Sequence, residues 1–331
     1  MRLARYFGGG EVRIVDEATP DLPAGGLVVR TEACGLCSGE LMSWYMDRKV
    51  PHVLGHEVAG IAEASDDPRF PVGRRVFPHH HSPCLECDDC RSGRYVHCRQ
   101  WRETKLQPGG MAEAFSVSPR NLNDTRLADD LRPVDAALIE PLACVVKAIR
   151  RCRRFSRPTA CDRFVPREGE RVAVVGLGSM GLMHLLALGP CGYGIDLNAA
   201  RIDWAKSRGL DARRPEQADP AHVVFVCPGS ESALDTAVRL AKPGGTVVLF
   251  APFPPDAPPN PNWDRIYFQD LSLVSSYSCG PNDTAVAHDL LSAGFVKAED
   301  VVSHFISLDE LPHAYRAMRS GDILKAMVLF S

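Results

Sequence analysis

The sequence contains no long apolar segment and no marked excess of positive or negative charge. No apolar run approaches the length of about 20 residues with which a helix crosses a bilayer, and residues 1–10 contain no apolar signal region. We therefore expect a cytoplasmic protein with no membrane partner. The formal net charge of −3 gives no electrostatic reason to expect nucleic acid as a partner.

The sequence has an ordinary globular composition, considerable length and many cysteines. A chain of 331 residues exceeds the size at which one hydrophobic core usually stops growing, which predicts two domains. Its 45% hydrophobic and 24% charged residues exclude a disordered chain. In a reducing compartment, its 12 cysteines favour metal binding or catalysis over a disulfide framework.

Residues 171–181, with the sequence RVAVVGLGSMG, predict a strand, a tight turn and the start of a helix. Gly176 would allow the turn, Gly178 would let the backbone approach a pyrophosphate, and Gly181 would let the helix pack closely on the strand. A second predicted strand ends at Asp196, where a carboxylate can accept hydrogen bonds from an adenosine ribose. The pattern indicates a dinucleotide site that favours NAD over NADP. A glycine-rich turn in another α/β protein is the alternative.

The densest cluster of metal-binding side chains is formed by Cys84, Cys87, Cys90 and Cys98. Their spacing is C-x₂-C-x₂-C-x₇-C. Four thiolates can surround one tetrahedral zinc ion and leave no position open for chemistry, which predicts a structural zinc site. An iron–sulfur cluster or free thiols are the alternatives. We expect the preceding His79–His81 to form a solvated loop or the rim of a pocket.

A second set of metal-binding side chains is spread over the chain. Cys37 follows one candidate strand, and the adjacent His56 and Glu57 lie between glycines in the sequence GHEVAG. Cysteine, histidine and carboxylate are ligands of catalytic zinc, which takes three protein groups and keeps one position open. Glu140, in the sequence EPL, offers another anionic ligand. Taken singly, Cys37 could be a buried thiol and Glu57 a surface acid.

The order of the predicted elements indicates an α/β protein. The chain opens with β-rich structure, and its second half alternates short apolar runs with helical segments and turns. This alternation is typical of a doubly wound parallel sheet. The basic segment Arg150–Arg167 is predicted to be an exposed linker.

The motifs occur in the order CGLC, GHE, the four-cysteine loop, EPL and GxGxxG. In this order the sequence resembles the zinc-dependent medium-chain dehydrogenase/reductase superfamily of alcohol dehydrogenases, over essentially the whole chain and closest to the polyol branch of sorbitol and threonine dehydrogenases. The resemblance implies a GroES-like catalytic domain at 1–142 and 279–331, with the zinc loop at 84–98. It also implies a Rossmann domain at 143–278, an active site in the cleft between the domains, and a homodimer or homotetramer.

The resemblance also implies roles for individual residues. Cys37, His56 and either Glu57 or Glu140 would hold catalytic zinc, and Ser38 is a candidate for the proton path. The four cysteines would hold structural zinc. The candidates for the NAD site are Gly176, Gly178, Ser179, Met180, Gly181, Asp196 and Arg201. The candidates for the substrate pocket are Trp44 and Tyr45. The two aromatic residues could equally belong to the core.

The sequence departs from the family pattern in three places. Many relatives carry a hydroxyl residue and a histidine that pass the alcohol proton to solvent, whereas this chain has Ser38-Gly39-Glu40 and Met42. Ser38, Glu40 or a water chain would have to replace this relay. The first helix of the Rossmann domain is predicted to be about one turn short. Residues 276–279 lack the arginine that several sorbitol dehydrogenases present to polyols.

The implied function is that of an oxidoreductase. Zinc would act as a Lewis acid on a secondary alcohol, such as a polyol, a sugar or a related hydroxy compound, whose carbon gives a hydride to NAD. The alternative enzyme is a zinc-dependent NAD(P)H reductase of a carbonyl or conjugated alkene in a biosynthetic pathway. A non-enzymatic NAD-binding sensor is a further alternative, and the presence of all three catalytic ligand types disfavours it.

Overall fold

The structure is a computed structural model, which describes residues 1–156 and 163–330. The chain forms two compact units. Unit 1 contains Met1–Ala143, Cys279–Ser292 and the chain from Lys297 onward, and unit 2 contains Cys144–Ser278 and Ala293–Val296.

The described strands are short and are spread over both units. In chain order they are β1 Arg2–Gly8, β2 Glu11–Asp16, β3 Leu27–Gly35, β4 His52–Val53, β5 Glu57–Ser65, β6 Arg75–Pro78, β7 Ala114–Val117, β8 Thr125–Leu127, β9 Val172–Val175, β10 Gly192–Ile195, β11 Ala212–Arg213, β12 Ala221–Val226, β13 Ala241–Leu249, β14 Ser272–Ser275, β15 His304–Ile306 and β16 Ala326–Leu329.

The longer helices occur after residue 138, and several single turns precede them. In chain order they are α1 Ser43–Met46, α2 Asp88–Arg91, α3 Arg99–Glu103, α4 Pro133–Ala136, α5 Ile139–Arg151, α6 Ser179–Leu188, α7 Ala199–Lys206, α8 Glu231–Leu240, α9 Trp263–Phe268, α10 Pro281–Ser292, α11 Ala298–Val301 and α12 Leu311–Ser320. Of the helices in the described parts of the chain, none combines the length and apolar character that crossing a membrane requires.

Unit 1 is built on two sheets whose described strands pair antiparallel, except for the parallel pair of β15 and β16. The described strands form a three-stranded sheet in the order β2-β1-β4 and a seven-stranded sheet in the order β15-β16-β3-β5-β6-β8, with β7 paired to β3. In the antiparallel pair of β3 and β5, Gly35 lies opposite Glu57. The residues just after β3 and those at the start of β5 are therefore neighbours in space, which brings Cys37 close to the GHE motif.

Unit 2 contains a parallel sheet of six described strands in the order β11-β10-β9-β12-β13-β14. Counted along the chain, this order is 3-2-1-4-5-6, the arrangement of doubly wound nucleotide-binding sheets. The central strands β9 and β12 are almost fully buried apolar runs, as expected for strands that are covered on both faces. The prediction of a doubly wound parallel sheet is confirmed.

The predicted exposed linker Arg150–Arg167 is only partly described, because residues 157–162 lie outside the described chain. For its described flanks the prediction is wrong in part, because exposed residues alternate with helical and buried ones. The helix α5 continues to Arg151, and Cys152 and Phe164 are buried. Basic residues dominate the composition of the segment, and Val165 is 52% exposed, but Cys152 and Phe164 in its described flanks lie in the interior.

Candidate active site

The turn that follows β3 fixes the position of Cys37. Cys37 caps a 3₁₀ turn over Ser38–Leu41, and its Sγ accepts a hydrogen bond from the backbone N–H of Gly39 at 3.3 Å. His56 and Glu57 follow Gly55, which has a positive φ of 95°. A Cβ at Gly55 would lie 2.3 Å from the backbone nitrogen of Met111, so only glycine lets the chain pass here.

The structure brings together Cys37, His56 and Glu57 from the predicted ligand set. Their ligand atoms all lie within 4.8 Å of one another. Glu57 is 1% exposed, and His56 is partly accessible. A thiol, an imidazole and a carboxylate that converge in this way suit a divalent cation of the zinc type.

Glu40 lies against the far side of His56 and is itself buried. Its Oε1 lies 3.4 Å from His56 Nδ1 and accepts a hydrogen bond from the backbone N–H of Gly55 at 2.7 Å. Burial disfavours the imidazolium form of His56, but the nearby Cys37 and Glu40 outweigh burial and raise the pKa of His56 well above its ordinary value. A carboxylate on Nδ1 directs Nε2 towards a metal and makes the imidazole a better ligand.

Lys325 belongs to this site, although none of the sequence motifs includes it. Its side chain is 1% exposed and its Nζ donates to Glu57 Oε2 and to the carbonyl oxygen of Leu36 at 3.1 Å. Burial lowers the pKa of Lys325, but the carboxylate of Glu57 more than compensates, so that the pKa is raised. The sequence signal that could have revealed Lys325 is its position directly before the apolar closing strand β16. A cation that is buried there needs an anionic partner.

Glu140 lies in a different group from Glu57. It is in the first turn of α5 and is 5% exposed, and its carboxylate lies within 4.8 Å of donor atoms of His79 and Cys279. The negative charge of Glu140 still acts on Cys37. Burial raises the pKa of Cys37 and His56 lowers it, whereas Glu57 and Glu140 raise it further. The net pKa of Cys37 is above its ordinary value.

The prediction that His79 belongs to a solvated loop or pocket rim is wrong. His79 is completely buried, because its Nδ1 pairs with Asp124 Oδ2 at 2.8 Å. The neighbouring His80 and His81 are partly exposed, and their rings contact each other with centroids 4.2 Å apart.

The four cysteines of the loop converge in one small cluster. Their Sγ–Sγ distances are 3.8 Å for Cys84–Cys90, 3.5 Å for Cys87–Cys90 and 3.6 Å for Cys84–Cys98. A tetrahedral zinc ion with Zn–S bonds of about 2.3 Å separates its sulfur ligands by about 3.8 Å. The backbone N–H groups of Glu86 and Cys87 donate to Cys84 Sγ and lower the pKa of its thiol to about 6.

The remaining candidates for catalysis and substrate binding lie on the segment after Cys37. Ser38 and Tyr45 are exposed and Trp44 is partly exposed, so the two aromatic residues are not core residues. The Trp44 and Tyr45 rings contact each other edge to face at 5.9 Å. The ammonium of Lys49 lies 3.7 Å from the centre of the Tyr45 ring.

The three glycines of the nucleotide motif have different local requirements. Gly176 has a φ of 90°, and a Cβ at Gly181 would lie 1.8 Å from the carbonyl oxygen of Gly176. At Gly178, which precedes α6, a Cβ would have no neighbour within 4 Å. The turn therefore leaves open space at the helix N-terminus, where Ser179 and Met180 begin α6 and where a phosphate group would fit.

Asp196 follows β10 and lies beside this turn. Its Oδ2 accepts a hydrogen bond from the backbone N–H of Leu177 at 2.7 Å, and its Oδ1 accepts one from Asn198 at 2.8 Å. The guanidinium of Arg201 lies 3.9 Å from Asp196 Oδ2. The structure thus brings together Asp196, Arg201 and the glycine turn at the carboxyl ends of β9 and β10.

Comparison with known proteins places the chain in a family. Residues 23–125 match the alcohol dehydrogenase GroES-like domain, and residues 176–293 match the zinc-binding dehydrogenase domain. The chain is 30% identical to D-altritol 5-dehydrogenase of Agrobacterium fabrum, with 94% of each chain covered. It is 25% identical to L-threonine 3-dehydrogenase of Sinorhizobium medicae, with 93% of this chain and 92% of the relative covered.

A solved structure shows the same fold. The alcohol dehydrogenase TADH from Thermus sp. ATN1 superposes with a TM-score of 0.82 at 24% identity, and the match covers 100% of both chains. The GroES-like and Rossmann-type fold predicted from the motifs is confirmed by these matches. The chain therefore belongs to the zinc-dependent medium-chain dehydrogenase family, in its polyol branch, and is a nicotinamide-dependent oxidoreductase of alcohols.

Proposed function

We propose that the enzyme transfers a hydride between a secondary alcohol of the polyol class and NAD, with unit 1 as the catalytic domain and unit 2 as the NAD-binding domain. The observation that carries the proposal is the convergence of Cys37, His56 and Glu57 in unit 1. Relatives named for the oxidation of an altritol and of a 3-hydroxy amino acid support a hydroxy compound as the substrate.

We assign catalytic zinc to Cys37, His56 and Glu57, because these donors converge and Glu140 lies in another group. When bound, zinc supplies a Lewis acid that acidifies an alcohol, and the nicotinamide accepts the hydride. Glu40 is a positioning residue, because it contacts the site through His56. Lys325 holds the Glu57 carboxylate in place and balances its charge.

We assign structural zinc to Cys84, Cys87, Cys90 and Cys98. Their separations match the edges of a tetrahedral sulfur site. The N–H donors on Cys84 favour its thiolate form, which is the form that binds metal.

We assign NAD to the glycine turn of unit 2. The space at Gly178 fits the approach of a pyrophosphate to the N-terminus of α6. The carboxylate of Asp196 suits the two ribose hydroxyl groups of NAD and would repel the 2′-phosphate of NADP. Arg201 lies close enough to Asp196 to share the ribose site.

A carbonyl or alkene reductase is the second candidate function. Ser38-Gly39-Glu40 and Met42 do not reproduce the family's hydroxyl and histidine relay. Glu40 is buried, and its carboxylate contacts His56 and accepts a hydrogen bond from Gly55. Ser38 is exposed and is therefore the remaining candidate in this segment for moving the proton.

We also propose that the protein is a homodimer or homotetramer assembled through the edge of the parallel sheet. The last strand in the sheet order is β14. Exposed aromatic side chains lie on α9 and after β14: Trp263 is 59% exposed, Tyr267 79%, Phe268 76% and Tyr277 63%. An edge strand beside exposed aromatic residues favours association with a second copy.

The substrate class can be tested by initial rates of NADH formation with polyols, sugars, 3-hydroxy amino acids and simple secondary alcohols. We expect turnover of at least one polyol with NAD⁺ and slower turnover with NADP⁺, because Asp196 disfavours the extra phosphate. Oxidation of no compound in the panel, together with reduction of an enal or ketone by NADPH, would contradict the polyol assignment and support the second candidate.

The catalytic zinc assignment predicts that Cys37→Ala and His56→Ala each abolish turnover and remove about one zinc ion per chain, with the fold retained. Metal analysis, circular dichroism and rates on the same preparations provide the check. Ser38→Ala is the control for the proton path, and it should keep its zinc and lose activity. Full activity of Cys37→Ala or His56→Ala would exclude the zinc mechanism, and full activity of Ser38→Ala would exclude Ser38 from the path.

The ion pair between Lys325 and Glu57 predicts that Lys325→Met destabilises the zinc-free protein by about 3–5 kcal/mol, because the Glu57 carboxylate would then be buried without any cation. Urea unfolding followed by circular dichroism measures the effect. The double variant Lys325→Met/Glu57→Gln should recover most of the loss. Arg13→Met, which removes an exposed ion pair with Glu11, should cost less than about 1 kcal/mol. Similar losses for Lys325→Met and Arg13→Met would refute the structural importance of the buried pair.

The oligomer assignment predicts a mass of about two or four times the 36.2 kDa chain in light scattering. Tyr267→Arg should lower this mass by placing a charge in the apolar interface. Val72→Arg, at an exposed valine of unit 1, should leave the mass unchanged. A monomeric parent protein at micromolar concentration would contradict the assignment.

A further inference from the structure

His80 lies directly beside the group of side chains assigned to catalytic zinc. The centres of the His80 and His56 rings are 4.7 Å apart, so the two imidazoles are in contact. The His80 ring is partly exposed, whereas its Nδ1 is buried and has no hydrogen-bond partner in the described parts of the chain. Nε2 is therefore the ring nitrogen that a ligand can reach.

Packing fixes the position of the His80 ring before any ligand binds. The ring contacts that of His79 edge to face, with centres 5.0 Å apart, and that of His81 at 4.2 Å. The buried Asn121 side chain donates hydrogen bonds to the backbone carbonyl oxygens of His79 at 3.0 Å and of His80 at 3.1 Å. A polar side chain that is held in this way loses little conformational entropy when it binds a ligand.

The surroundings of Nδ1 determine which nitrogen of His80 carries the proton. A neutral imidazole has one N–H donor and one acceptor nitrogen. A buried N–H group without an acceptor is rarer in proteins than a buried acceptor that lacks a donor. The buried Nδ1 therefore favours the acceptor form, and the proton lies on Nε2. The accessible edge of the ring is then a hydrogen-bond donor.

We propose that His80 is a specificity-determining residue, whose Nε2–H donates a hydrogen bond to the substrate oxygen on the carbon next to the one that is oxidised. This inference rests on the proposed function, in which the reacting hydroxyl group lies beside His56. Because the two rings touch, the neighbouring carbon of the substrate comes next to His80. The donor selects vicinal diols over simple secondary alcohols, since it loses its partner when the second oxygen is missing.

The selection can be tested with 2,3-butanediol and 2-butanol, which differ by the second hydroxyl group. We expect His80→Phe, which keeps a flat ring of similar size, to lower kcat/KM for the diol by about 10- to 100-fold and to leave that for 2-butanol unchanged. His80→Gln, whose amide nitrogen can take the place of Nε2, should keep most of the preference. His304→Phe, at an exposed histidine of β15, is the control and should keep both values.

The ratio of the two kcat/KM values separates specificity from folding, because a structural defect lowers both values together. An unchanged ratio in His80→Phe would overturn the proposal, and water would then be the partner of Nε2. An equal loss with both substrates would overturn it too. A parent protein that oxidises no alcohol would refute the proposed function itself, whereas an unchanged ratio in an active protein refutes the role of His80 alone.

The tautomer of His80 can be measured without any turnover, by ¹⁵N NMR of the zinc-loaded protein with labelled histidines. The spectrum is recorded at about pH 8, well above the ordinary histidine pKa of about 6.5. The signals of His80 are those that disappear in His80→Gln. We expect Nε2 to carry the proton and Nδ1 to be the acceptor nitrogen. A proton on Nδ1 would overturn the proposal, because the accessible nitrogen would then have no hydrogen to donate.

Discussion

The buried ion pair of Lys325 with Glu57 is the interaction on which the candidate active site depends. Around it, unit 1 buries the carboxylate of Glu40 and brings the Cys37 thiol close to the His56 imidazole. Isolated charges in such a position cost several kcal/mol each. Positive and negative groups alternate here, Lys325 beside Glu57 and His56 beside Glu40, so each of the two buried carboxylates has a basic partner.

The parts of the protein that could be predicted from sequence are those whose determinants lie within a short segment. The glycine turn and the alternation of unit 2 were sufficient for the doubly wound sheet, which the structure confirms. The burial of His79 was not predictable, because it depends on Asp124, which is 45 residues away. Lys325 was missed for the same reason, since its partner Glu57 is 268 residues away.

The choice between Glu57 and Glu140 as the predicted third ligand of catalytic zinc also could not be made from spacing, because each carboxylate lies in a short motif, GHE or EPL. In the structure they are held by different elements. Glu57 begins strand β5 and is paired with Lys325, whereas Glu140 lies in the first turn of the thirteen-residue helix α5. The positive end of that helix favours a carboxylate there, so each acid has its own source of positive potential.

The pairing of β16 with β3 has a consequence for how the site forms during synthesis. β3 and β5 are made early, and β16 then adds antiparallel to β3, with Met327 opposite Gly35. At about 5–20 residues per second, the 268 residues between Glu57 and Lys325 take roughly 13–54 s to translate. For that time the Glu57 carboxylate of the nascent chain has no Lys325 to pair with and must stay hydrated or bind another cation. Pairing of β16 with β3 and neutralisation of the Glu57 carboxylate by Lys325 are therefore one late event in the life of each molecule.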